Sequence, residues 1–335
     1  MGGRDLDSHT LRHEALARLR RFVPVDAYCF SELDPESQMM VAHATDGLDR
    51  GLAPRLYLNE YTESDFLKQR SLIEGSTRAC SLSKATRGEL ERSIRFRELL
   101  SPMGVGHELR AACVLDGQAW GFMNLYRGHG RSEFTPHEVE LVARVTPLLA
   151  ALLRSSVLEA SFATLPAAQA PAVVVLDPAN RIAEATPEAS ARLDALKDPE
   201  ESGSSDIPEV LKTLAIRARA RRRDPGSVVS ARVRGSDGSW LTLHASPTTA
   251  RDGDGDRVAV VISPASAPDL RLMLIARLRL TPGERQVTEL VIQGRSTKEI
   301  AGELYLSPYT VQDRLKAIFE KSGVRSRREL VARLH

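Results

Sequence analysis

The sequence predicts a multidomain chain: two α+β units in series, then an all-α unit of four helices. Three observations predict it. A length of 335 residues is enough for two or three domains. Up to about residue 263, short apolar or alternating runs recur between helical stretches. Beyond Leu280 that pattern gives way to short amphipathic segments, two of the four opened by Ser or Thr with Pro and closed by Gly. The boundaries drawn are 9–160 and 161–263 for the α+β units, 264–279 for a linking segment, and 280–335 for the helical unit.

In the first unit, His9–Phe22 reads as a helix with Leu11, Leu16, Leu19 and Phe22 inward. Val25–Leu33 reads as a strand running into an Asp34-Pro35 turn, and Met39–Ala44 as its antiparallel return. A polar, helical middle follows from Asn59 to Leu100. Arg110–Leu115 and Ala119–Tyr126 alternate as strands about the turn Asp116-Gly117-Gln118. Thr135-Pro136, with Glu138 three residues after the Thr, opens a long helix.

The second unit starts with Pro171–Asp177, a Val-rich run typical of a buried strand. Residues 177–180 turn it and Arg181–Ala185 returns. Thr186-Pro187-Glu188 opens a helix burying Ala191, Leu193 and Leu196, and Lys197–Asp206 is a polar loop. Glu209–Arg223 is helical and ends in the basic run RARARRR. That run suits a nucleic-acid or membrane surface, or simply complements the dipole of its helix. Ser227–Arg234, Ser239–Ser246 and Arg257–Ile262 are three strands around Gly-containing turns. The segment 269–280 is again helical.

In the last unit, Thr281-Pro282 with Glu284 makes a capping box with Pro at the first helical position. Val287, Leu290, Val291 and Ile292 form its apolar stripe, and Gly294 ends it. Ser296 or Thr297 caps a second helix burying Ile300, Ala301 and Leu304. Tyr305-Leu306 is a tight turn, and Ser307-Pro308 starts a third helix burying Val311, Leu315, Ile318 and Phe319. Gly323 closes that helix, and Arg327–Leu334 is a fourth with Leu330 and Leu334 inward. Two short helices about a tight turn form a helix-turn-helix candidate, whose second member would enter a DNA groove. Its exposed face carries Thr310, Gln312, Asp313, Arg314, Lys316 and Ala317. Gln can read adenine, and Lys or Arg can read guanine. Free N–H groups near Ser307 and Thr310 would suit a phosphate oxygen.

Composition narrows the class. Hydrophobic residues make up 42%, ample for buried cores. The net charge is +2, and residues 280–334 carry ten basic against seven acidic side chains, so nucleic-acid affinity must be local. Three scattered cysteines, Cys29, Cys80 and Cys113, argue against a disulfide framework and for a reducing cytoplasm. The N-terminus lacks the apolar core of a signal peptide, and Val139–Val157 is interrupted by Glu140, Arg144 and Arg154, as an amphipathic helix would be. His43, His107 and His129 lack metal-ligand spacing, and no set of nucleophile, base and oxyanion donors can be assembled. The sequence names no cofactor.

The run LTPGE…VIQGRSTKEIAGELYLSPYTVQ…LKAIFEKSGVRSRREL resembles the C-terminal DNA-binding domain of the LuxR family of bacterial transcription regulators, over about 55 residues. Leu280-Thr281, Glu284, Lys298-Glu299-Ile300-Ala301, Thr310-Val311 and Gly323-Val324 carry the likeness. It implies double-stranded DNA as partner, with Thr297, Lys298, Ser307, Tyr309, Thr310, Val311, Gln312, Asp313, Arg314, Lys316, Lys321 and Arg327 at the interface, and Gln312, Asp313 and Lys316 toward base edges. Many members have Lys in place of Gln312 and His in place of Arg314, so the base preference does not carry over.

The first unit resembles a GAF domain, in LRAACVLDGQAWGFMNLYR and the following FTPHEVELVARVTPLLAALL. The second resembles a PAS fold, in VVVLDPANRIAEATPEASARL and GSWLTLHASP. GAF domains hold small molecules between the sheet and its covering helices. Segment 45–105 would then form the wall, with Tyr57, Tyr61, Phe66, Phe96, Met103 and Trp120 as candidates to point inward, against the plainer reading of ordinary core. The expected protein is a cytoplasmic, non-enzymatic regulator. It would bind a pseudo-palindromic operator as a homodimer, with Pro136–Leu158 as a dimer seam and a small molecule or partner as effector. The alternatives are a ligand-binding or catalytic GAF protein whose helical tail only oligomerises, and a response regulator phosphorylated at Asp177.

Overall fold

A computed structural model describes residues 8–159, 170–197, 207–221, 229–248, 256–278 and 280–334. Two compact units emerge: one holds both sheets, up to Pro264, and the other the helices from Ala265.

The first sheet is antiparallel, in the order β2-β1-β5-β4-β3. Its strands are β1 Ala27–Leu33, β2 Met40–Asp46, β3 Ala79–Ser81, β4 Val105–Leu115 and β5 Gln118–Gly128. The β4–β5 hairpin turns on Asp116 (φ 51°) and Gly117 (φ 78°), the two left-handed residues of a tight two-residue loop, as Asp-Gly predicts. Helices α1 Ser8–Leu19 and α5 Pro136–Glu159 flank this sheet, and α2 Ala53–Thr62, α3 Gln69–Glu74 and α4 Leu82–Thr86 fill the middle segment. Thr135 and Glu138 form the capping box of α5. That helix runs so close to β5 that a Cβ on Gly121 would lie 2.5 Å from Leu153 and 2.9 Å from Phe30. Phe22, expected inward, is 71% exposed, because α1 stops at Leu19 and Phe22 leaves the stripe. The short strand Ala79–Ser81 was hidden inside the segment read as helical.

The second sheet repeats that order as β7-β6-β10-β9-β8, also antiparallel. It comprises β6 Ala172–Leu176, β7 Ile182–Ala185, β8 Val229–Arg234, β9 Trp240–Pro247 and β10 Val258–Pro264. Helix α6 Ala189–Leu196 starts later than expected, so Ala189, Leu193 and Leu196 are buried and Ala191 is exposed. The loop after Lys197 lies outside the described residues.

Helix α7 Glu209–Ala220 belongs to both halves. Leu211, Leu214 and Ala215 pack in the core of the second sheet, while Ile216 joins Leu33, Tyr57 and Phe122 in the first. Seven of the twelve residues of α7 are buried, and between them they face both cores. Arg217 donates to the Ser37 carbonyl at 3.1 Å and lies over the Tyr61 ring, while Arg219 donates to Asn180 Oδ1 and the carbonyls of Asp177 and Asp256. These two members of the basic run are therefore internal clamps, neither a solvated helix end nor a free polyanion surface. Arg222 and Arg223 lie outside the described residues. From β8, Arg232 donates to Asp34 Oδ2 at 3.0 Å in a buried pair and reaches Glu36, so the β1–β2 turn is held by the second half.

The second unit contains α8 Arg271–Arg277, α9 Pro282–Ile292, α10 Thr297–Glu303, α11 Pro308–Ser322 and α12 Arg327–Leu334. Val287, Val291, Ile300, Val311, Ile318 and Leu330 are fully buried at its centre. Thr281 with Glu284, and Ser296 with Glu299, form complete capping boxes. Gly294 (φ 82°) and Gly323 (φ 64°) take the left-handed conformation after their helices, as expected of such caps.

Candidate nucleic-acid interface and the sheet unit behind it

Helices α10 and α11 meet through a turn in which Tyr305 adopts φ 53° and the Leu306 N–H donates to the Ala301 carbonyl at 2.9 Å. Ser307 then caps α11: its Oγ accepts from the Thr310 N–H at 3.0 Å and meets Thr310 Oγ1 at 2.8 Å. The Val311 N–H donates to the Ser307 carbonyl, and Pro308 has no N–H. Of the first-turn donors expected to meet phosphate, that leaves the Tyr309 N–H. The Tyr309 side chain is exposed, and Tyr305 is exposed almost entirely. Tyr305 was read only as a turn residue; its position beside the cap of α11 is the signal that would have added it to the candidate surface.

The expected DNA-facing residues divide into three groups. Lys298, Ser307, Tyr309, Gln312, Asp313 and Lys316 are exposed, with Thr297 and Thr310 half-buried beside them. Val311 is fully buried, which excludes it from the interface. The spacing 311, 315, 318 puts it on the stripe facing α9 and α10, and one side chain cannot serve both core and groove. The remaining cations are drawn into the fold. Arg314 Nη1 donates to the Gly283 carbonyl at 3.3 Å, and a Cβ on Gly283 would lie 2.7 Å from the guanidinium. Lys321 Nζ donates to Glu284 Oε2 at 2.6 Å. Burial pushes the Glu284 carboxyl up, but the bonds from Lys321 and the Thr281 N–H outweigh it and hold the pKa below the usual glutamate range. Arg327 is half-buried, with a guanidinium pKa drawn down by burial against a smaller pull from Glu299. Its Nη2 has no partner among the described residues.

In the sheet unit, the six expected ligand-facing residues do not converge. Trp120 and Phe96 are buried core, and Tyr57 donates to or accepts from His43 Nε2 at 2.8 Å. Tyr61 lies under Arg217, Phe66 under Arg92, and Met103 is half-exposed in the turn before β4. Between the first sheet and its covering helices stands a buried ionic cluster. Arg95 Nη2 donates to Glu108 Oε2 at 2.8 Å and Arg95 Nη1 to Asn59 Oδ1 at 3.1 Å. Arg110 donates to Glu60 at 2.7 Å, Asn124 Oδ1 at 2.7 Å and the Leu67 carbonyl at 2.8 Å. Asp65 accepts from the Arg95 N–H and from Asn59, bonds that hold its carboxyl below the usual aspartate range against the opposing effect of burial. Sequence reading missed the cluster because charged residues at 60, 65, 95, 108 and 110 come together only through the fold.

Burial pushes the Cys80 and Cys113 thiols up, which favours inert thiol over thiolate. Asp177 sits in the turn after β6, where its carboxylate accepts from the Arg181 N–H and Nε. Helix α5 is long and apolar enough to cross a membrane by length and composition, yet it packs Val142, Leu149 and Leu153 inward and leaves Leu148 and Leu152 exposed. No group of three potential metal ligands occurs among the described residues.

The family of bacterial regulatory proteins named luxR matches residues 278–334, and the GAF domain matches residues 7–153. The spore germination protein GerE of Bacillus subtilis is 44% identical over 55 residues, covering 16% of this chain and 74% of that protein. The transcriptional regulatory protein UhpA of Salmonella typhimurium is 33% identical over 143 residues, covering 41% of this chain and 69% of UhpA. A helix-turn-helix regulator of Mycobacterium bovis is 50% identical over 52 residues, but this chain spans only 6% of its length. Among solved structures, the GAF domain/HD domain protein of Geobacter sulfurreducens is 14% identical, with a TM-score of 0.35, covering 45% of this chain and 94% of that one; a likeness so distant says nothing of function. With its helix-turn-helix at residues 278–334 and a GAF domain before it, the chain belongs to the luxR family of bacterial regulatory proteins.

Proposed function

We propose that this chain is a sequence-specific DNA-binding transcriptional regulator, not an enzyme. It acts in the bacterial cytoplasm, reads a pseudo-palindromic operator as a homodimer, and is controlled by a small molecule or partner through its GAF and PAS-like halves. The observation that supports this reading is the exposed face of α11. A capped helix offers Gln312, Asp313 and Lys316 to solvent in one row, beside Tyr309 and Lys298, while its opposite face is core. Polar side chains at spacing three and four on a helix that fits the major groove can meet base edges.

The PAS-like reading of residues 161–263 is supported by strand order: the second sheet repeats the 2-1-5-4-3 order of the first. The dimer reading is supported by Leu148 and Leu152, exposed one turn apart on α5. A symmetric dimer presents the same face twice, so each half-site meets an identical helix.

Fluorescence anisotropy with labelled genomic fragments tests the function. Saturable binding that weakens with salt is expected, and Lys316→Ala should weaken a bound site by roughly 1–3 kcal/mol. Equal binding by wild type and by a Gln312→Ala/Lys316→Ala double variant would remove α11 from the interface. Sedimentation of Leu148→Glu/Leu152→Glu tests the dimer, which should dissociate to monomer.

A further inference from the structure

A cleft of about 400 Å³ opens between the two sheet halves of the first unit. Arg12, Glu32 and His43 line it from one half, and Ala195, Val210 and Trp240 from the other. None of the six aromatic and Met residues expected to meet a ligand lies on it. Its size is that of a small-molecule site, with mostly apolar walls and a few convergent polar groups.

Arg12 makes it more than a packing gap. The residue is 1% exposed, on α1. Its Nη1 donates to Glu32 Oε2 at 2.6 Å and to Ser8 Oγ at 2.7 Å. Its Nε is buried and has no acceptor among the described residues. A guanidinium carries five donors in a fixed fork, so satisfying Nη1 does nothing for Nε. A buried donor left unmatched is costly, and an acceptor supplied from outside removes that cost.

The charges on the described lining select the sign of that acceptor. Arg12, Lys197 and Arg234 stand against Glu32 and Glu209, a net of +1. Both carboxylates are engaged, Glu32 by Arg12 and Glu209 by Lys212 at 2.6 Å. An anion meets the unmatched Arg12 donor on a lining of net positive charge.

We propose that this cleft binds a small organic carboxylic acid, its carboxylate at Arg12 and its apolar body against Val210 and Trp240. The site lies outside the DNA-binding face and does not depend on the reading of that face. Because its walls come from both halves, an occupant bridges them.

Titration calorimetry on the full chain, without DNA, tests the site with 4-phenylbutyrate and 4-phenylbutylamine. The carboxylate should bind saturably, and the amine of the same body at least tenfold more weakly. Arg12→Lys keeps a cation for Glu32 but has no Nε, and should weaken the carboxylate at least tenfold. Ala195→Trp fills the cleft without touching Arg12 and should abolish binding while far-UV circular dichroism stays native. No saturable binding of the carboxylate, equal binding of carboxylate and amine, or undiminished binding by Ala195→Trp would each overturn the proposal. If Arg12→Lys fails to fold, the amine comparison and Ala195→Trp still decide it.

Discussion

Replacing Glu108 by Gln should destabilise the first unit far more than the same replacement on its surface. Glu108 is 1% exposed on β4. Its Oε2 accepts from Arg95 Nη2 at 2.8 Å and Nε at 3.3 Å, its Oε1 accepts from Arg95 Nε at 3.2 Å, and Arg110 Nε lies 4.0 Å away. Gln preserves the volume, so no cavity term enters. It keeps one acceptor, which can hold the 2.8 Å bond. Its other terminal atom becomes a donor facing Arg95 Nε. Three cations (Arg95, Arg110, Lys68) and three carboxylates (Glu60, Asp65, Glu108) now balance, and the variant leaves one buried positive charge in excess. Removing one partner of a buried pair costs about 3–5 kcal/mol, and the retained acceptor places this variant near 3 kcal/mol. Glu140→Gln on α5 is the control. Its pair with Arg144 at 2.5 Å has side chains 59% and 75% exposed, and such helix pairs contribute about 0.3–0.5 kcal/mol. Urea unfolding, followed by circular dichroism and by tryptophan fluorescence from Trp120 and Trp240, measures both. A Glu108→Gln loss below about 1 kcal/mol, or one no larger than that of Glu140→Gln, would refute the assignment of a desolvated, structurally required cluster.

Gly121→Ala should cost about 1–3 kcal/mol in the same urea titration, because the added Cβ meets Leu153, Phe30 and the Ser31 carbonyl and cannot relax by moving one side chain alone. Lys298→Ala should lower affinity equally for specific and random DNA and reduce the salt slope by about one, measured by anisotropy at several salt concentrations. The Glu284 carboxyl has a folded pKa below its unfolded value, so its contribution is complete above the unfolded pKa of about 4.3 and is lost as pH falls through the folded one. Acid unfolding of the helical unit should therefore begin in that window, and Glu284→Gln should flatten it while lowering stability at neutral pH.

Local chemistry was the legible part of this chain. Thr281, Ser296 and Ser307 before their helices, and Gly294 and Gly323 after them, carry their structural instruction in neighbouring residues, so the helical unit could be read almost to its ends. Asp116-Gly117 likewise fixed a hairpin. The failures were long-range. The apolar stripe of α1 ran on to Phe22 because periodicity cannot show where a helix gives way to a turn. Val311 satisfied two patterns, a family position and a core stripe, and burial decided between them. The run from Arg217 reads as a solvated helix end or a polyanion-binding surface because the sequence does not reveal that the Ser37 carbonyl, Tyr61 and Asn180 await those guanidiniums. The ligand-facing aromatics were chosen for their type, whereas the space beneath the covering helices is occupied by charges drawn from three separated segments.

The redistribution of cations bears on how the proposed operator complex must work. Arg314 is turned toward Gly283 and Lys321 toward Glu284, so two of the expected DNA-facing charges serve the fold. Among the described residues of that face, Lys298 and Lys316 remain exposed and make no ion pair. Each phosphate neutralised contributes about 0.9 to the slope of log K against log salt, so with Lys316 at a base edge and Lys298 on phosphate one copy would have a slope of about −1 and little non-specific affinity at physiological salt. Two copies joined through the sheet unit double the slope and turn the second contact into an intramolecular event, whose strength depends on whether the joined geometry spans the two half-sites. In the proposed dimer, a weakly charged reading face would place control in the spacing of the two copies. A sheet unit whose halves share α7 and the Arg232–Asp34 pair can transmit a change in that spacing as one body.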